Sequence, residues 1–425
     1  MELFASFKRD YFNYLVSIIL PALISGLSIP LFKHILGSAG YGSFALWFNA
    51  ILILTAVLSG WIAQSVIRYF PSSKNQLSFS LKALFYSLKT QSIFFLPVII
   101  VVFWISNDWI LGILCGLTLF LSSLQFTILS IAQSSFLSKK IIFSELIRIL
   151  IYVGGSTAFL IFTNITYLYS LFIAIILSYL VSGIYLFLNF KSKLSANTFK
   201  RSTDPTDWLK KFYHYGLPLS MWFIFSYLLT YIDKLFSLNY FGSHLQGNYQ
   251  ALFDFLNKSL TLVISPVISS VFPLLTNAYE KNNRKEIKAL LKRLAFYEII
   301  GFVSISIGYW IIGAKIIFFI LNIPDNLMYR VMGFIIICSA FIWQLSILAQ
   351  KRLELKYQSR IMVKFLLIAF FAQVLFYLVT GSHGNQLTAP FGFLLSSTIY
   401  LILISIPQIQ SLFKNAKSWQ KFGIS

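Results

Sequence analysis

The stretch "SYLLTYIDKLFSLNYFG", residues 226–242, is an apolar run that carries two opposite charges, Asp233 and Lys234, side by side. Its composition is typical of a membrane-spanning helix. A charged side chain at the centre of such a helix costs about 2.5–3.5 kcal/mol on insertion scales. We therefore expect the two charges to face the interior of a helix bundle.

The rest of the chain also has the composition of a membrane protein. Of its 425 residues, 58% are hydrophobic and 11% are charged, whereas soluble domains have about 25% charged residues. The first residues, "MELFASFKRD", show no cleavable signal pattern, so we expect the N-terminus to be retained. Cys115 and Cys338 lie far apart in apolar runs, which predicts neither a disulfide nor a metal site.

A hydropathy window of about 20 residues predicts an all-α polytopic membrane protein with twelve spans. The spans are 11–32, 43–66, 90–106, 109–133, 143–163, 167–190, 213–238, 247–272, 294–314, 328–350, 361–380 and 387–411. Most of the 34 Lys and Arg residues fall in alternate connections, which predicts that both termini are cytoplasmic. This topology explains the net charge of +21 without a nucleic-acid partner.

The basic insert near the middle of the chain divides it into two similar halves. We predict an N-terminal six-helix lobe (1–190), a cytoplasmic linker (191–212) and a C-terminal six-helix lobe (213–425). The stretch "LGSAGYGSFALWF" (36–48) is echoed by "FGSHLQGNYQALF" (241–253) at the matching position of the second half. Two repeats of the same topology are expected to surround a central cavity.

Four stretches then identify the type of protein. They are Pro30 with "LGSAGYG" (36–42), "GWIAQSVIRYFP" (60–71), "YGLPLS" (215–220) and "YIDKLFSLNYFGSHLQGNYQ" (231–250). In this order they resemble polysaccharide-transport flippases, the O-antigen and capsule repeat-unit type, of the multidrug/oligosaccharidyl-lipid/polysaccharide exporter (MATE-like) superfamily. The resemblance implies translocation of a polyprenyl-diphosphate-linked oligosaccharide from the cytoplasmic to the outer leaflet of the bacterial inner membrane. It also implies alternating access.

The resemblance implies several partners and leaves the energy source open. The partners are the lipid-linked oligosaccharide, membrane lipid, a polysaccharide polymerase and a chain-length regulator. The chain contains no G-x-x-x-x-G-K-[ST] motif, so ATP hydrolysis is not expected. No cofactor is predicted, and coupling to H⁺ or Na⁺ stays open.

The depth of charged residues in the predicted spans suggests where the diphosphate binds. At 1.5 Å per residue, Lys258 lies about 17 Å inside its span, near the midplane. Asp254 lies four residues earlier, in a favourable position for an ion pair with Lys258. Lys234 is placed at the outer mouth and Arg68 at the inner mouth. We predict that these three cations receive the diphosphate in turn, with Asp233 and Asp254 as counter-ions or proton-linked partners.

Neutral polar residues complete the predicted cavity. Asn257 lies beside Lys258, Gln64 lies one turn above Arg68, and the rings of Tyr231 and Tyr249 could stack on sugars.

Structural roles for the same charges stay open. Lys234 could reach the outer interface while Asp233 pairs with it, and Arg68 could be a topology anchor. Lys258 could form a structural bridge to Asp254. Glu298, one turn into its predicted span, is interpreted as interfacial and is a weak candidate for proton coupling.

Two other functions stay open. The first is an ion-coupled drug or small-metabolite antiporter of the same fold. The second is a membrane polysaccharide polymerase or glycosyltransferase, against which the short outer connections argue. No catalytic constellation is present in the sequence, so an enzyme is not expected.

Overall fold

The computed structural model of the chain describes residues 2–70, 73, 76–135, 137–195, 208–281, 283–356, 358–381 and 384–406. Within these ranges the regular structure is helical. The helices are α1 (Glu2–Tyr69), α2 (Gln76–Ser106), α3 (Trp109–Ser134), α4 (Ser138–Phe162), α5 (Tyr167–Ser195), α6 (Trp208–Glu280), α7 (Arg284–Gly308), α8 (Ala314–Leu321), α9 (Leu327–Leu355), α10 (Ser359–Thr380) and α11 (Thr388–Ser405). A π-helical turn, Tyr309–Gly313, joins α7 to α8.

Ten helical stretches of the described residues are long and apolar enough to cross a membrane. Large apolar side chains cover their surfaces: Phe319 is 88% exposed and Trp104 is 84% exposed. Soluble proteins rarely present contiguous apolar surface of this kind to water. The prediction of an all-helical, multi-pass membrane protein is confirmed at this level, whereas the number twelve, the two lobes and the orientation of the termini stay predictions.

Two of the helices are interrupted by a glycine. Gly37 breaks α1 with φ 69° and ψ 175°, and Gly242 breaks α6 with φ 80° and ψ 170°. This backbone region is essentially restricted to glycine. The two breaks have the same conformation at the positions that the predicted repeat aligns, so the glycines explain the echo between the halves.

The chain forms two compact units. Unit 1 consists of Met1–Ser28 and Ser43–Ile224, and unit 2 consists of Ile29–Gly42 and Phe225–Ser425. The division differs from the predicted lobes because a segment of α1 belongs to unit 2 and the first part of α6 belongs to unit 1. The predicted linker overlaps the ends of α5 and α6, and its residues 196–207 lie outside the described residues.

The first part of α6 is built into the core of unit 1. The ring of Phe212 contacts that of Phe79 at 5.4 Å between centroids. The Ser65 hydroxyl donates a 3.0 Å hydrogen bond to the Phe212 carbonyl oxygen. Gly216 lies so close to α1 that a Cβ would overlap the carbonyl oxygen of Trp61. This close approach requires glycine.

The segment of α1 around Lys33 is held in unit 2 in a similar way. The buried Lys33 ammonium donates to the carbonyl oxygens of Leu321 at 2.6 Å and Asn322 at 3.1 Å. It therefore caps the C-terminal end of α8, where a cation is favoured. A Cβ on Gly247 of α6 would overlap the carbonyl oxygen of Ser38. The segment thus contacts α6 and α8 through backbone groups.

Replacing Gly216 or Gly247 by alanine is expected to reduce the amount of folded protein. The new Cβ would overlap a backbone carbonyl oxygen, and overpacking of this kind costs about 1–3 kcal/mol or more. Size-exclusion chromatography and thermal unfolding in detergent measure the effect. Gly154→Ala is the matched control, since no heavy atom lies within 4 Å of a Cβ at that position. Variants that behave like Gly154→Ala would contradict the prediction.

Candidate functional site

The candidate site is centred on Asp233, which is completely buried in unit 2. Three side chains donate hydrogen bonds to its carboxylate: the Gln373 amide, the Tyr377 hydroxyl at 2.8 Å and the Tyr249 hydroxyl at 3.1 Å. Gln373 and Tyr377 are four residues apart on α10 and therefore share one face. Tyr249 lies on α6 beyond the Gly242 break. One carboxylate thus links α10 to both arms of α6.

Tyr377 also brings α11 into the site. Its ring stacks on Phe236 of α6, with 4.3 Å between the centroids. Its hydroxyl lies 2.8 Å from the Ala389 carbonyl oxygen. A Cβ on Gly392 would overlap this tyrosine, so a glycine on α11 makes the room that it needs. Asp233 is therefore held by an aromatic and hydroxyl framework rather than by a charged partner from another helix.

Lys234 has a different neighbour from Asp233, because consecutive helical residues are rotated by about 100°. Its ammonium lies 3.4 Å from a carboxylate oxygen of Asp254 and 5.2 Å from the centre of the Phe253 ring. Asp254 also accepts hydrogen bonds from the Gln250 amide at 2.6 Å and the Tyr41 hydroxyl at 3.1 Å. Lys234 is 3% exposed, so this ion pair is an internal one.

Lys258 and Asn257 lie one turn further along α6, and both are partly exposed. Tyr231, in the first arm of α6, is also partly exposed. The ion pair of Asp254 in the structure is with Lys234. The predicted pairing of Asp254 with Lys258 stays a prediction, as do the ligand-binding roles of these side chains.

Arg68 lies at the end of α1 in unit 1 and is exposed. Its guanidinium carbon is 4.7 Å from the centre of the Tyr215 ring and 6.0 Å from that of Tyr69. Such cation–π contacts fix the plane of a guanidinium group. Gln64 is half-buried one turn earlier. The predicted order of Lys234, Lys258 and Arg68 along one transport path stays a prediction.

Several members of the site were not selected from the sequence. Tyr377 and Gln373 contact Asp233, and Tyr41 contacts Asp254. The available signal was the spacing of Gln373 and Tyr377, since polar groups on one face of an apolar helix usually meet a neighbouring helix. Their partner Asp233 is 140 residues away from Gln373, a distance that periodicity cannot bridge.

The arrangement can keep charged groups inside an apolar bundle. Two carboxylates, one ammonium and several hydroxyl and amide groups satisfy one another within unit 2. Among the residues that the structure describes, no group of three or more His, Cys, Asp or Glu side chains could hold a metal ion.

Comparisons with known proteins identify the fold. No protein-family model matches the chain, and no curated protein sequence matches it. Solved structures match nearly its whole length. A multidrug resistance MATE family transporter of the MOP superfamily in an inward-facing conformation has a TM-score of 0.68 at 12% identity, covering 96% of this chain and 99% of that chain.

Two further structures agree with the first. Such a transporter in an outward-facing conformation has a TM-score of 0.65 at 12% identity, covering 94% of this chain and 96% of that chain. A MOP superfamily transporter from Pyrococcus furiosus Vc1, described as having a binding pocket of reverse polarity that suggests a different function, has a TM-score of 0.68 at 12% identity and covers 95% of each chain. The chain described here therefore has the fold of the MATE transporters of the MOP superfamily.

Proposed function

We propose that this chain is a flippase that moves a polyprenyl-diphosphate-linked oligosaccharide from the cytoplasmic to the outer leaflet of a bacterial cytoplasmic membrane by alternating access. Its cargo would feed the synthesis of a surface polysaccharide such as O-antigen or capsule. The fold supports a transporter, because structures that share it include inward-facing and outward-facing transporters. The ordered motifs between Pro30 and Gln250 support the flippase type.

The observation that carries the proposal is that both aspartates are already engaged by groups of the protein itself. Asp254 forms an ion pair with Lys234, and Asp233 is buried among three hydrogen-bond donors. Arg68 and Lys258 keep solvent-accessible surface. Cations at accessible positions favour an anionic head group such as a diphosphate. A transporter of cationic drugs would be expected to present carboxylates without neutralising lysines.

The architecture proposed for this task has twelve membrane crossings. As one straight helix, the 44 residues Gly26–Tyr69 would be about 66 Å long, and a bilayer core is about 30 Å thick. The breaks at Gly37 and Gly242 allow α1 and α6 to cross the membrane twice each. The even number agrees with two cytoplasmic termini, which the Lys and Arg distribution also favours.

The energy source of the proposed cycle is an ion gradient or the supply and removal of cargo. Asp233 and Asp254 are the proposed counter-ions or proton-linked groups, with H⁺ and Na⁺ both open. The polysaccharide polymerase and the chain-length regulator are the proposed protein partners.

Deletion of the protein tests the function. We expect the lipid-linked oligosaccharide to accumulate in the cytoplasmic leaflet, and the wild-type chain to restore surface polymer on re-expression. Mass spectrometry of extracted lipids and labelling of the outer leaflet measure both effects. Normal surface polymer combined with new sensitivity to cationic drugs would instead identify a drug antiporter. Accumulation of single repeat units in the outer leaflet would instead identify a polymerase.

A further inference from the structure

Glu298 is a buried acid in α7 of unit 2 that the proposed function does not use. Glu298 is 4% exposed. Neither of its carboxylate oxygens has a hydrogen-bond partner among the residues that the structure describes. α7 begins at Arg284, so Glu298 lies about 21 Å along it at 1.5 Å per residue. Glu298 is thus near the middle of α7, and its expected position at the membrane interface stays a prediction.

The turns on both sides of Glu298 are closed by apolar contacts. Phe302, one turn later, stacks on Phe341 of α9 with 4.2 Å between the centroids. Leu294, one turn earlier, belongs to a buried cluster with Leu348 of α9. Glu298 thus lies on the face of α7 that packs against α9, between two apolar seals.

The stretch of α9 between the two apolar contacts is uncharged. Between Phe341 and Leu348, α9 has no ionisable side chain. Elsewhere on α9 the ionisable residues are Tyr329, Arg330, Cys338, Lys351, Arg352 and Glu354. On the second arm of α6, among the side chains that the structure describes, they are His244, Tyr249, Asp254, Lys258 and Tyr279. On α7 and after it they are Lys285, Glu286, Lys288, Lys292, Arg293, Tyr297, Tyr309 and Lys315. Lys351 is paired with Glu354 at 2.7 Å. Thr261 of α6 accepts a 3.2 Å hydrogen bond from Gln344 in this stretch of α9.

An ionised carboxylate in such a position would lose its hydration without gaining a partner. That loss is far larger than the loss for a neutral carboxyl group, so a buried acid without a partner takes up a proton instead. The apolar seals keep water out only while α7 and α9 stay packed together. Hydration of the same face would remove the penalty and let the carboxyl group ionise.

We propose that Glu298 is a proton-binding site of unit 2, occupied while α7 packs against α9 and emptied when water enters that interface. In the exchange the O–H bond of the carboxyl group breaks, its electron pair stays on the carboxylate, and the proton passes to water. The inference goes beyond the proposed function, because it concerns an ion and holds for any cargo.

Infrared difference spectroscopy of the purified full-length protein in nanodiscs, without cargo, tests the site. At neutral pH the wild-type minus Glu298→Gln spectrum should contain the carbonyl band of one protonated carboxyl group, shifted in D₂O. Glu286→Gln is the matched control, because Glu286 is an exposed acid on the same helix, and its difference spectrum should lack this band. A carboxylate band in place of the carbonyl band for Glu298 would overturn the proposal.

A stability measurement keeps the test valid if the Gln variant folds poorly. Above about pH 5 the unfolded chain releases the Glu298 proton, so the stability that wild type gains from the neutral form falls as pH rises. Glu298→Met puts an apolar side chain of similar length in this apolar place, so the variant should fold. It should also remove this part of the pH dependence of the thermal midpoint. A Met variant with the same pH dependence as wild type would refute the site. Because no cargo is present, this result is independent of whether the flippase proposal holds.

Discussion

Replacing Lys258 by alanine is expected to abolish surface polysaccharide while leaving membrane insertion near normal. Lys258 is a partly exposed ammonium group in the second arm of α6, where we place the diphosphate. A hydrogen bond to a charged group contributes about 1.5–3 kcal/mol, so the rate of translocation should fall about tenfold to about a hundredfold. Surface polymer is measured relative to the amount of protein in the membrane fraction.

Two variants make the Lys258 result specific. Lys258→Arg keeps the positive charge and should retain most of the polymer. Lys292→Ala removes an exposed lysine from α7 and should have no effect. If Lys258→Ala cells make polymer at the wild-type level, Lys258 has no central role in cargo binding.

Asp233→Ala is expected to have the second large effect, on stability. The substitution leaves the Tyr249 hydroxyl and one N–H of the Gln373 amide without an acceptor. The Tyr377 hydroxyl keeps the Ala389 carbonyl oxygen, and the other N–H of Gln373 keeps the Leu229 carbonyl oxygen. Each buried donor that loses its partner costs about 1–3 kcal/mol. With two such donors, we expect the free energy of unfolding to fall by about 2–5 kcal/mol, measured by denaturant unfolding in mixed micelles.

The control for this substitution is the same change at an exposed aspartate, Asp325. Asp325 pairs with Arg330 at 2.6 Å near the start of α9, and its side chain is 38% exposed. The hydrogen bonds from Arg330 hold the pKa of Asp325 below its usual value, but solvent screens this surface pair. Asp325→Ala should therefore change the unfolding curve little. Equal curves for Asp233→Ala and wild type would show that the buried network does not stabilise the protein.

The sequence was sufficient to predict an all-helical membrane protein with breaks at matching positions of its two halves. Long apolar runs specify helices without knowledge of their neighbours, and Gly37 and Gly242 were visible as turn residues of a repeat. The different neighbours of Asp233 and Lys234 follow from helical geometry alone, because consecutive residues are rotated by about 100°. These features depend on residues that are close together in the chain.

The parts that escaped prediction depend on distant residues. Gln373 and Tyr377 reach Asp233 from α10, and Tyr41 reaches Asp254 from α1. The start of α7 escaped prediction for another reason. Hydropathy detects apolar spans, and the first ten residues of α7 are rich in charge, so the predicted span began long after the helix does.

The exchange of helical segments between the halves has a consequence for biosynthesis. Unit 1 includes the first part of α6, and unit 2 includes the α1 segment around Lys33. A ribosome delivers Lys33 to the membrane long before it translates Leu321 and Asn322, the residues whose carbonyl groups receive its ammonium. Neither half of the coding sequence therefore specifies a self-sufficient folding unit. Two polypeptides cut between α5 and α6 would have to be co-expressed to mature.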